Sequence, residues 1–427
     1  MGEEIFLALD IGTSNIKCGC LTLSADILVE KKEKFPLVQF GESFEIDVIV
    51  FFDLIKDLVG QCLSEIQDRT KKVKALLITS QANTFVPVAK DFKPLRKGIV
   101  WLDERAKAEA DCLGVKLPGY ATYSGFGKPL SGLLASKLLW LKANDPQVFN
   151  NAEFFPLINE YLVYRLTHSF YTDTTSFGMS GMYDFVNRDI NGRLLQILQL
   201  EKSNFPQIAN AAEKSALISE EVSKEWKIQH RFPVYLCGND QCASASGAGL
   251  KDHGDITINF GSALVLFSIT KSISKNMGID QIAGKYPVSH DYFLLSYEPD
   301  FGLVIRSLKE KLFKEGSYDL LFQTYLDYPD VAKITPRLSE MQLDFKTNES
   351  AGQFCAGIIK YYIDQLKKHI ADVNQRERIK NIFLSGAITK SSVWIQIIKK
   401  EVSSKAVINN QENAGLMGAL NIYLSKN

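Results

Sequence analysis

The sequence predicts an α/β chain with two similar lobes that face each other across a cleft. The 427 residues are about two to three times the length of a usual single-core domain. An apolar strand, a glycine turn with Thr or Ser, and a second apolar strand occur at residues 9–21 and again at 256–267, in separate halves of the chain. A third glycine turn lies between a strand at 382–384 and a helix-like segment. Two lobes of similar core would account for both copies of the hairpin.

Hydrophobic periodicity justifies the elements in order. Period-two or buried apolar runs predict a hairpin at 5–23 and strands at 27–35, 73–79, 85–89, 99–101 and 232–237, then a second hairpin at 255–267 and a strand at 382–384. Helical spacing of apolar or small residues predicts helices at 48–68, 133–144, 160–166, 243–249 and 394–402.

Composition and charge exclude several classes of protein. Hydrophobic residues make up 46% and charged residues 23%, as in ordinary globular chains, and 49 basic residues balance 49 acidic ones. Bulk capture of nucleic acid or of an anionic membrane is therefore not expected. No apolar run reaches the ~18 residues of a membrane span, and the N-terminus is acidic, so we expect a cytoplasmic chain. Its seven cysteines lack zinc-type spacing and are expected to be reduced core thiols.

The first glycine turn carries groups that suit phosphate binding. Asp10 ends an apolar strand, and Gly12, Thr13 and Ser14 follow in the turn. Backbone amides of such a turn can receive phosphate oxygens, while Asp10 holds a hydrated Mg²⁺ and Lys17 adds positive charge. The alternative is a plain hairpin turn, for which Asp-x-Gly is common. No P-loop sequence is present.

A second carboxylate stands at a comparable place in the chain. Asp240 follows Gly238 and Asn239 at the end of a predicted buried strand and precedes a helix. Helix capping is the simpler interpretation of Asp240 taken alone. Together with Asp10, however, two strand-end carboxylates near glycine turns suit one metal site and one general base.

These features, in their order along the chain, resemble the FGGY carbohydrate kinases of the actin/hexokinase/heat-shock-chaperone ATPase superfamily. Residues 10–17 resemble the family's D-x-G-T-[ST]-x-x-[KR] phosphate motif. Other segments of the first half that resemble family motifs are 78–81 (I-x-x-Q), 100–105 (W-x-D-x-R), 137–141 (K-x-x-W-L) and 161–167 with Asp173 (Y-L-x-x-R-L-T-G and the following Asp). In the second half they are 238–249, 260–262, 385–387 with Trp394, and 418–420.

The resemblance implies two ribonuclease-H-like (actin-like ATPase) domains that flank a central catalytic cleft. Residues 1–240 would form the N-terminal domain, with the sugar site and the first phosphate motif. Residues 241–427 would form a shortened C-terminal, nucleotide-binding domain. ATP and Mg²⁺ are the implied cofactors, a small sugar is the implied partner, and a homodimer stays open.

The resemblance and the residue chemistry together give a set of candidate site residues. The predicted catalytic residues are Asp240 as general base and Asp10 as metal ligand. The predicted cofactor-binding residues are Gly12, Thr13, Ser14, Lys17, Gly261, Ser262, Gly386 and Ala387. The predicted sugar-binding residues are Gln81, Asn83, Trp101, Asp103, Arg105 and Asp240. An alternative for Gln81 and Asn83 is that they satisfy loop backbone.

The expected activity is ATP-dependent phosphorylation of a primary hydroxyl of a small sugar, most simply a ketose such as xylulose, ribulose or sedoheptulose. Two departures from the family pattern keep alternatives open. Asn83 stands where xylulose-type kinases usually have a histidine, and Ser385 replaces a glycine of the adenosine turn. A glycerol-type polyol kinase and a non-catalytic sugar or nucleotide sensor with a kinase fold are the alternatives. Trp140 and Trp394 are expected to fill packing between helices.

Overall fold

The computed structural model describes residues 4–41, 43–66, 73–261, 263–273, 277–279, 281–313, 317–336, 348–375 and 378–427. The strands are β1 Ile5–Ile11, β2 Asn15–Thr22, β3 Ile27–Lys34, β4 Leu37–Phe40, β5 Ser43–Ile46, β6 Val73–Ser80, β7 Gly98–Ile99, β8 Tyr171–Asp173, β9 Tyr183–Asp184, β10 Asp189–Ile190, β11 Gln207–Ala209, β12 Ser215–Leu217, β13 Pro233–Asn239, β14 Asp255–Phe260, β15 Leu264–Thr270, β16 Gln281–Lys285, β17 Tyr292–Glu298, β18 Asn381–Ser385 and β19 Ala406–Ile408. The helices are α1 Val48–Ile66, α2 Lys107–Lys116, α3 Tyr120–Ser124, α4 Leu134–Asn144, α5 Pro146–Asn151, α6 Ile158–Thr167, α7 Thr174–Gly178, α8 Gly192–Leu198, α9 Glu220–Glu225, α10 Asp240–Gly247, α11 Phe301–Leu312, α12 Tyr318–Asp327, α13 Asn348–Asn374, α14 Ser392–Glu401 and α15 Ala414–Leu424.

The chain divides into two compact units, each made of segments that are distant in sequence. The first unit comprises Met1–Gly249, Ile273–Tyr292 and Asn413–Asn427, and the second comprises Leu250–Ser272 and Phe293–Glu412. The sequence-based division into 1–240 and 241–427 assigned one continuous segment to each domain. The two divisions differ at three segments, because α10, the segment Ile273–Tyr292 with β16, and the closing helix α15 all belong to the first unit.

Close packing of α15 on α10 is the physical reason for the assignment of these two helices. A Cβ atom on Gly418 would lie 1.7 Å from the carbonyl oxygen of Ala243, and one on Gly247 would lie 1.9 Å from that of Ala414. No side chain fits at these distances, so both positions require glycine. The glycines let the two helix backbones approach each other closely and keep the C-terminal helix with the first unit.

The first unit is built on a six-stranded sheet in the order β12-β13-β6-β1-β2-β3. Strand β1 is antiparallel to β2 and parallel to β6, and β6 is parallel to β13. Alternate residues of β1 point to opposite faces. Leu7 and Leu9 join the core that α1 covers, whereas Phe6 and Ala8 join the core that contains Leu416 and Leu420 of α15. Burial of each large apolar side chain contributes about 1.5–3 kcal/mol, so both faces hold the sheet in place.

The second unit repeats the strand arrangement on a smaller scale. Its strands lie in the order β17-β15-β14-β18-β19, with β14 antiparallel to β15 and parallel to β18. Trp394 of α14 is 1% exposed, and its ring lies 5.3 Å from Phe260 and 4.5 Å from Phe322. The prediction that Trp394 fills packing is therefore confirmed. So is the predicted α/β fold class, because each unit combines helices with a mixed sheet.

No helix in the described part of the chain has both the length and the apolar character needed to cross a membrane. The cysteines are free thiols, and all except Cys112 are buried.

Candidate active site

Three parallel strands of the first unit bring their carboxyl ends to one edge of the sheet. In the strand register, Asp10 of β1 lies beside Thr79 of β6, and Asn239 of β13 lies beside Ser80. The Thr79 hydroxyl donates to the carbonyl oxygen of Gly238 at 2.9 Å, which ties β6 to the end of β13. This edge therefore gathers three predicted site residues, Asp10, Gln81 and Asp240, which are distant in sequence.

Asp240 is the first residue of α10 but does not cap it. The cap is Asn239, whose side-chain oxygen accepts the backbone N–H of Cys242 at 2.9 Å. The simpler interpretation of Asp240 as a helix cap is thus excluded. Burial, together with the smaller effect of the negative charge of Asp10, raises the pKa of the Asp240 carboxyl to about 7. A carboxyl with this pKa can accept a proton near neutral pH.

The environment of Asp10 combines burial with one nearby cation. Burial raises the pKa of the Asp10 carboxyl to about 6, against the lowering effect of Lys17. The Lys17 ammonium donates to Asn413 Oδ1 at 2.9 Å. A Cβ atom on Gly415 would lie 2.1 Å from Asp10 Oδ2, so the first turn of α15 packs directly on this carboxylate. Asp10 is therefore held close enough for its charge to raise the pKa of the Asp240 carboxyl.

The turn between β1 and β2 connects the predicted phosphate residues to the predicted sugar residues. The Gly12 N–H donates to the carbonyl oxygen of Asn15 at 3.0 Å and closes the turn. The Trp101 indole N–H donates to the Thr13 hydroxyl at 2.9 Å, while its ring remains 41% exposed. Ser14 is exposed. The turn and the Trp101 ring thus form one accessible surface.

Gln81 follows β6 and has an unused donor. Its backbone N–H donates to the carbonyl oxygen of Ile11 at 2.8 Å, and its Oε1 accepts the Thr84 hydroxyl at 3.3 Å. The side chain is 2% exposed, and its Nε2 atom has no hydrogen-bond partner among the described residues. A buried amide donor without a partner is costly, so a ligand oxygen at this point would be favourable.

Asn83 has both of its amide atoms engaged. It adopts a positive φ of 64°, donates to the carbonyl oxygen of Met179 at 2.7 Å and accepts the N–H of Leu134 at 2.9 Å. These contacts match the alternative interpretation, in which Asn83 satisfies loop backbone. A contact between Asn83 and sugar stays a prediction. The buried Lys137 ammonium donates to the carbonyl oxygens of Asn83 and, at 3.2 Å, Val100. Lys137 therefore ties the Gln81–Asn83 loop to the Trp101 loop.

Asp103 and Arg105 mainly contact each other. Asp103 is fully buried and accepts two hydrogen bonds of 2.7 Å from the Arg105 guanidinium and one of 2.7 Å from the Phe44 N–H. Burial alone would raise the pKa of Asp103, but the hydrogen bonds from Arg105 and Phe44 lower it below its usual value. Arg105 also donates to Glu45 at 3.1 Å and lies 4.8 Å from the centre of the Trp140 ring. Both residues thus hold the Trp101 loop in shape, and their contact with sugar stays a prediction.

The remaining predicted cofactor residues lie in the second unit. The Gly261 N–H donates to the carbonyl oxygen of Ala263 at 3.1 Å and closes the turn between β14 and β15. Ser262 lies outside the described residues. Gly386 has a φ of 107°, and a Cβ atom there would lie 2.3 Å from the carbonyl oxygen of Phe260. Ala387 is exposed and begins a short 3₁₀ turn.

Sequence reasoning missed the contribution of the first turn of α15. Gly415 and Asn413, which contact Asp10 and Lys17, were not among the predicted site residues. A signal for them was present, because Gly415 and Gly418 are three residues apart and share one helix face. Two glycines on one face indicate that a backbone or a buried polar group approaches the helix closely.

Comparison with known proteins identifies a family that matches the first half of the chain. The family model described as the N-terminal domain of the FGGY family of carbohydrate kinases matches residues 5–247. The chain is 25% identical to the xylulose kinase of Escherichia coli (strain K12) over 62% of its own length and 54% of that enzyme, which is about half of the relative's length. It is 22% identical to the xylulose kinase of Staphylococcus xylosus over 97% of its own length and 89% of that enzyme.

Similarity to solved structures extends over the whole chain. The crystal structure of a gluconate kinase from Lactobacillus acidophilus superposes with a TM-score of 0.88 at 20% identity, covering 100% of this chain and 89% of that one. At this identity the likeness shows the fold alone. With more than half of its residues matched by the family model, the chain belongs to the FGGY family of carbohydrate kinases, which are sugar phosphotransferases.

Proposed function

We propose that this protein transfers the γ-phosphoryl group of ATP to a primary hydroxyl of a small, uncharged sugar, with Asp240 as the general base. The observation that carries the proposal is the pair of carboxylates, Asp10 near the end of β1 and Asp240 directly after β13, on the two parallel strands that flank β6. The pKa of Asp240 is raised to about 7. A sensor has no need of a carboxyl with that pKa beside a second carboxylate.

Asp240 has the properties that proton transfer requires. As the sugar oxygen attacks the γ-phosphorus, its proton passes to the Asp240 carboxylate, and the bond from phosphorus to the leaving oxygen of ADP breaks. General-base assistance of this kind is worth about 10²–10⁴-fold in rate. Positioning and charge neutralisation supply most of the remaining acceleration in phosphoryl transfer.

The residues present fit a Mg²⁺ ion held jointly with phosphate oxygens. Among the described residues, no group of three or more His, Cys, Asp or Glu side chains could hold a metal by itself. Mg²⁺ commonly takes one or two carboxylates together with substrate phosphates, and Asp10 offers one carboxylate beside the Gly12–Ser14 turn. Bound there, Mg²⁺ would neutralise charge on the phosphates. Thr13, Ser14 and Lys17 are proposed to hold those phosphates, and Gly261, Ser262, Gly386 and Ala387 the rest of the nucleotide.

Charge around the proposed sugar site favours a neutral ketose over a sugar acid. The two cations near it are already engaged, since Arg105 is bound by Asp103 and Glu45, and Lys137 is bound by backbone carbonyl oxygens. Burial lowers the pKa of Lys137 to about 7, which weakens it further as a carboxylate partner. Gln81 Nε2 suits a hydroxyl oxygen. Two curated relatives named xylulose kinase support a ketopentose as the substrate.

An ADP-release assay tests the proposal. The purified protein is incubated with Mg-ATP and, separately, with xylulose, ribulose, sedoheptulose, glycerol and gluconate. We expect ADP release with a ketose and much less with gluconate. In the Asp240→Asn variant, kcat should fall by about 10²–10⁴-fold, while sugar and ATP binding, followed by calorimetry, should persist.

The matched control is Asp145→Asn. It removes one carboxylate charge at the cap of α5, where asparagine can still accept the Val148 N–H. Asp145 also pairs with Arg96 at 3.1 Å, and Arg96 keeps Glu45 as a second partner in the variant. Its kcat should therefore stay within about twofold of the wild type. Equal activity of Asp240→Asn and wild type would reject Asp240 as the base. Binding of sugar and ATP without ADP release by the wild type would instead identify a sensor.

A further inference from the structure

The first unit contains a cavity that the proposed kinase reaction does not use. Its volume is about 410 Å³, and its lining residues include Arg188, Asn210, Lys285 and His290. None of the predicted catalytic, cofactor-binding or sugar-binding residues lines it. This volume is within the range of cavities that bind small molecules, about 300–1,000 Å³.

Cationic and nitrogen-bearing side chains dominate the polar part of this lining. Arg188, Lys285 and His290 line the cavity, and none of its described lining residues carries a carboxylate. Within the described ranges, no carboxylate lies within ion-pair distance of Arg188, although its side chain is exposed. A guanidinium without a carboxylate partner can donate two parallel hydrogen bonds to phosphate or carboxylate oxygens.

The fold holds these like charges together. Burial lowers the pKa of Lys285, and the positive charges of Arg188 and Lys426 lower it further, while Asp291 opposes that shift. Arg188 and Lys285 therefore lie close enough for their positive charges to interact. Arg188 also adopts a positive φ of 56°, a backbone conformation that is unfavourable for arginine. Such strain is maintained only where the surrounding structure requires it.

Aromatic rings form the other wall. Tyr183, Phe185 and Tyr292 line the cavity, and the Lys285 ammonium lies 4.6 Å from the centre of the Tyr292 ring. That cation–π contact and a hydrogen bond to the carbonyl oxygen of His290 fix the direction of Lys285. Flat ring faces, with the Asn210 amide beside them, suit the carbon skeleton and hydroxyls of a small polyol.

We propose that this cavity is a second ligand site, which binds a small phosphorylated sugar. Arg188 and Lys285 hold its phosphate group, and the tyrosine rings and Asn210 contact its sugar part. Occupancy of the site would follow the concentration of a sugar phosphate. The site itself would take no part in phosphoryl transfer. This inference goes beyond the proposed kinase function and does not depend on it.

Isothermal titration calorimetry with three probes tests the site: glucose 6-phosphate, inorganic phosphate and glucose. We expect glucose 6-phosphate to bind more tightly than inorganic phosphate, and glucose not to bind measurably. In Arg188→Ala, affinity for glucose 6-phosphate should fall at least tenfold. Arg188 is exposed, so this variant should fold normally, which its unfolding temperature would verify.

Matched variants separate this site from the proposed active site. Arg193→Ala removes the same charge from an exposed position that does not line the cavity, and should leave binding of glucose 6-phosphate unchanged. Asp10→Asn changes the proposed active site and should also leave that binding unchanged. Full binding by Arg188→Ala, equal affinity for inorganic phosphate and glucose 6-phosphate, or no binding of any probe by the wild type would each overturn the proposal.

Discussion

The two hairpin turns, one in each unit, share a backbone design but differ in charge. In the first, β1 ends in Asp10-Ile11 and Gly12 follows; in the second, β14 ends in Asn259-Phe260 and Gly261 follows. Both strands are antiparallel to the next strand and parallel to a third, and each turn is closed by a hydrogen bond from its glycine N–H. The carboxylate of the first turn is a neutral amide in the second.

The residues around the two turns also differ in charge. Asp10 is accompanied by Lys17, by the carboxylate of Asp240 and by the backbone of Gly415. Asn259 accepts a hydrogen bond from the Ser385 hydroxyl at 3.2 Å. One strand arrangement therefore supports two chemistries. The first turn is suited to a metal and a proton, and the second to an uncharged contact with a ligand.

The largest effect is expected when the first turn is given the chemistry of the second. In Asp10→Asn, kcat should fall by about 10²–10³-fold, comparable to the loss of one electrostatic stabilising group. Removing this charge also removes one cause of the raised pKa of Asp240. The acidic limb of the activity profile should therefore move to lower pH, as measured by residual kcat/KM against pH. An unchanged limb would mean that the two carboxyls do not interact.

The next effect concerns the glycine that packs on Asp10. Gly415→Ala places a methyl group 2.1 Å from Asp10 Oδ2, so the carboxylate must move. Misplacement of a reacting group by about 1 Å can cost ~10²-fold, and we expect kcat to fall between tenfold and 100-fold in the ADP-release assay.

Gly60→Ala is the matched control for Gly415→Ala. Gly60 lies within α1, and a Cβ atom there meets nothing within 4 Å. Its activity should be unchanged, and its stability to urea should rise by about 0.5–1 kcal/mol, the difference in helix propensity between alanine and glycine. Equal activity of the two variants would show that Gly415 does not position Asp10.

The two turns also indicate which features of the fold and the site can be predicted from the sequence. Strand periodicity and glycine turns were sufficient to predict both hairpins, and strand-end position was sufficient to relate Asp10 to Asp240. The assignment of segments to the two units was harder to predict, because α15 joins the first unit through glycines that contact Ala243 and Asp10. In the sequence, the only sign of such contacts between distant segments is a regular spacing of small residues.

The same limit applies to the predicted sugar residues. Residue type predicts that Asn83 and Asp103 face a ligand. In the fold, the Asn83 amide is satisfied by Met179 and Leu134, and Asp103 by Arg105 and Phe44. Whether a polar side chain serves the ligand or the loop depends on partners distant in sequence, which composition and periodicity do not report.

A third prediction uses the raised pKa of the Asp240 carboxyl, which follows β13. Because the base must be deprotonated, kcat/KM should fall about tenfold per pH unit below pH ~7. Stability should follow the opposite trend. The folded protein keeps the Asp240 proton up to a pKa of about 7, whereas the usual value is 3.8. The folded state therefore binds more protons between these values, and the free energy of unfolding should decrease as pH rises from about 4 to 7.

Urea unfolding at several pH values measures this trend. Asp240→Asn should make this trend shallower, while the raised pKa values of Asp10 and Glu160 keep part of it. The variant should also remove the acidic limb of activity that belongs to Asp240. Asp145→Asn again serves as control and should retain both slopes. A free energy of unfolding that rises with pH across this window, in wild type relative to Asp240→Asn, would contradict the raised pKa.

The smallest effect is expected when the second turn receives the charge of the first. In Asn259→Asp, the new carboxylate can still accept the Ser385 hydroxyl, so folding should be preserved. If this turn contacts nucleotide phosphates, the added charge repels them, and like charges near a site weaken binding. We expect KM for ATP to rise several-fold with little change in kcat, whereas Asn259→Ser should leave KM for ATP nearly unchanged. A KM for ATP that is equal in Asn259→Asp and wild type would place the phosphates away from the second turn and leave the first as the sole phosphate-binding hairpin.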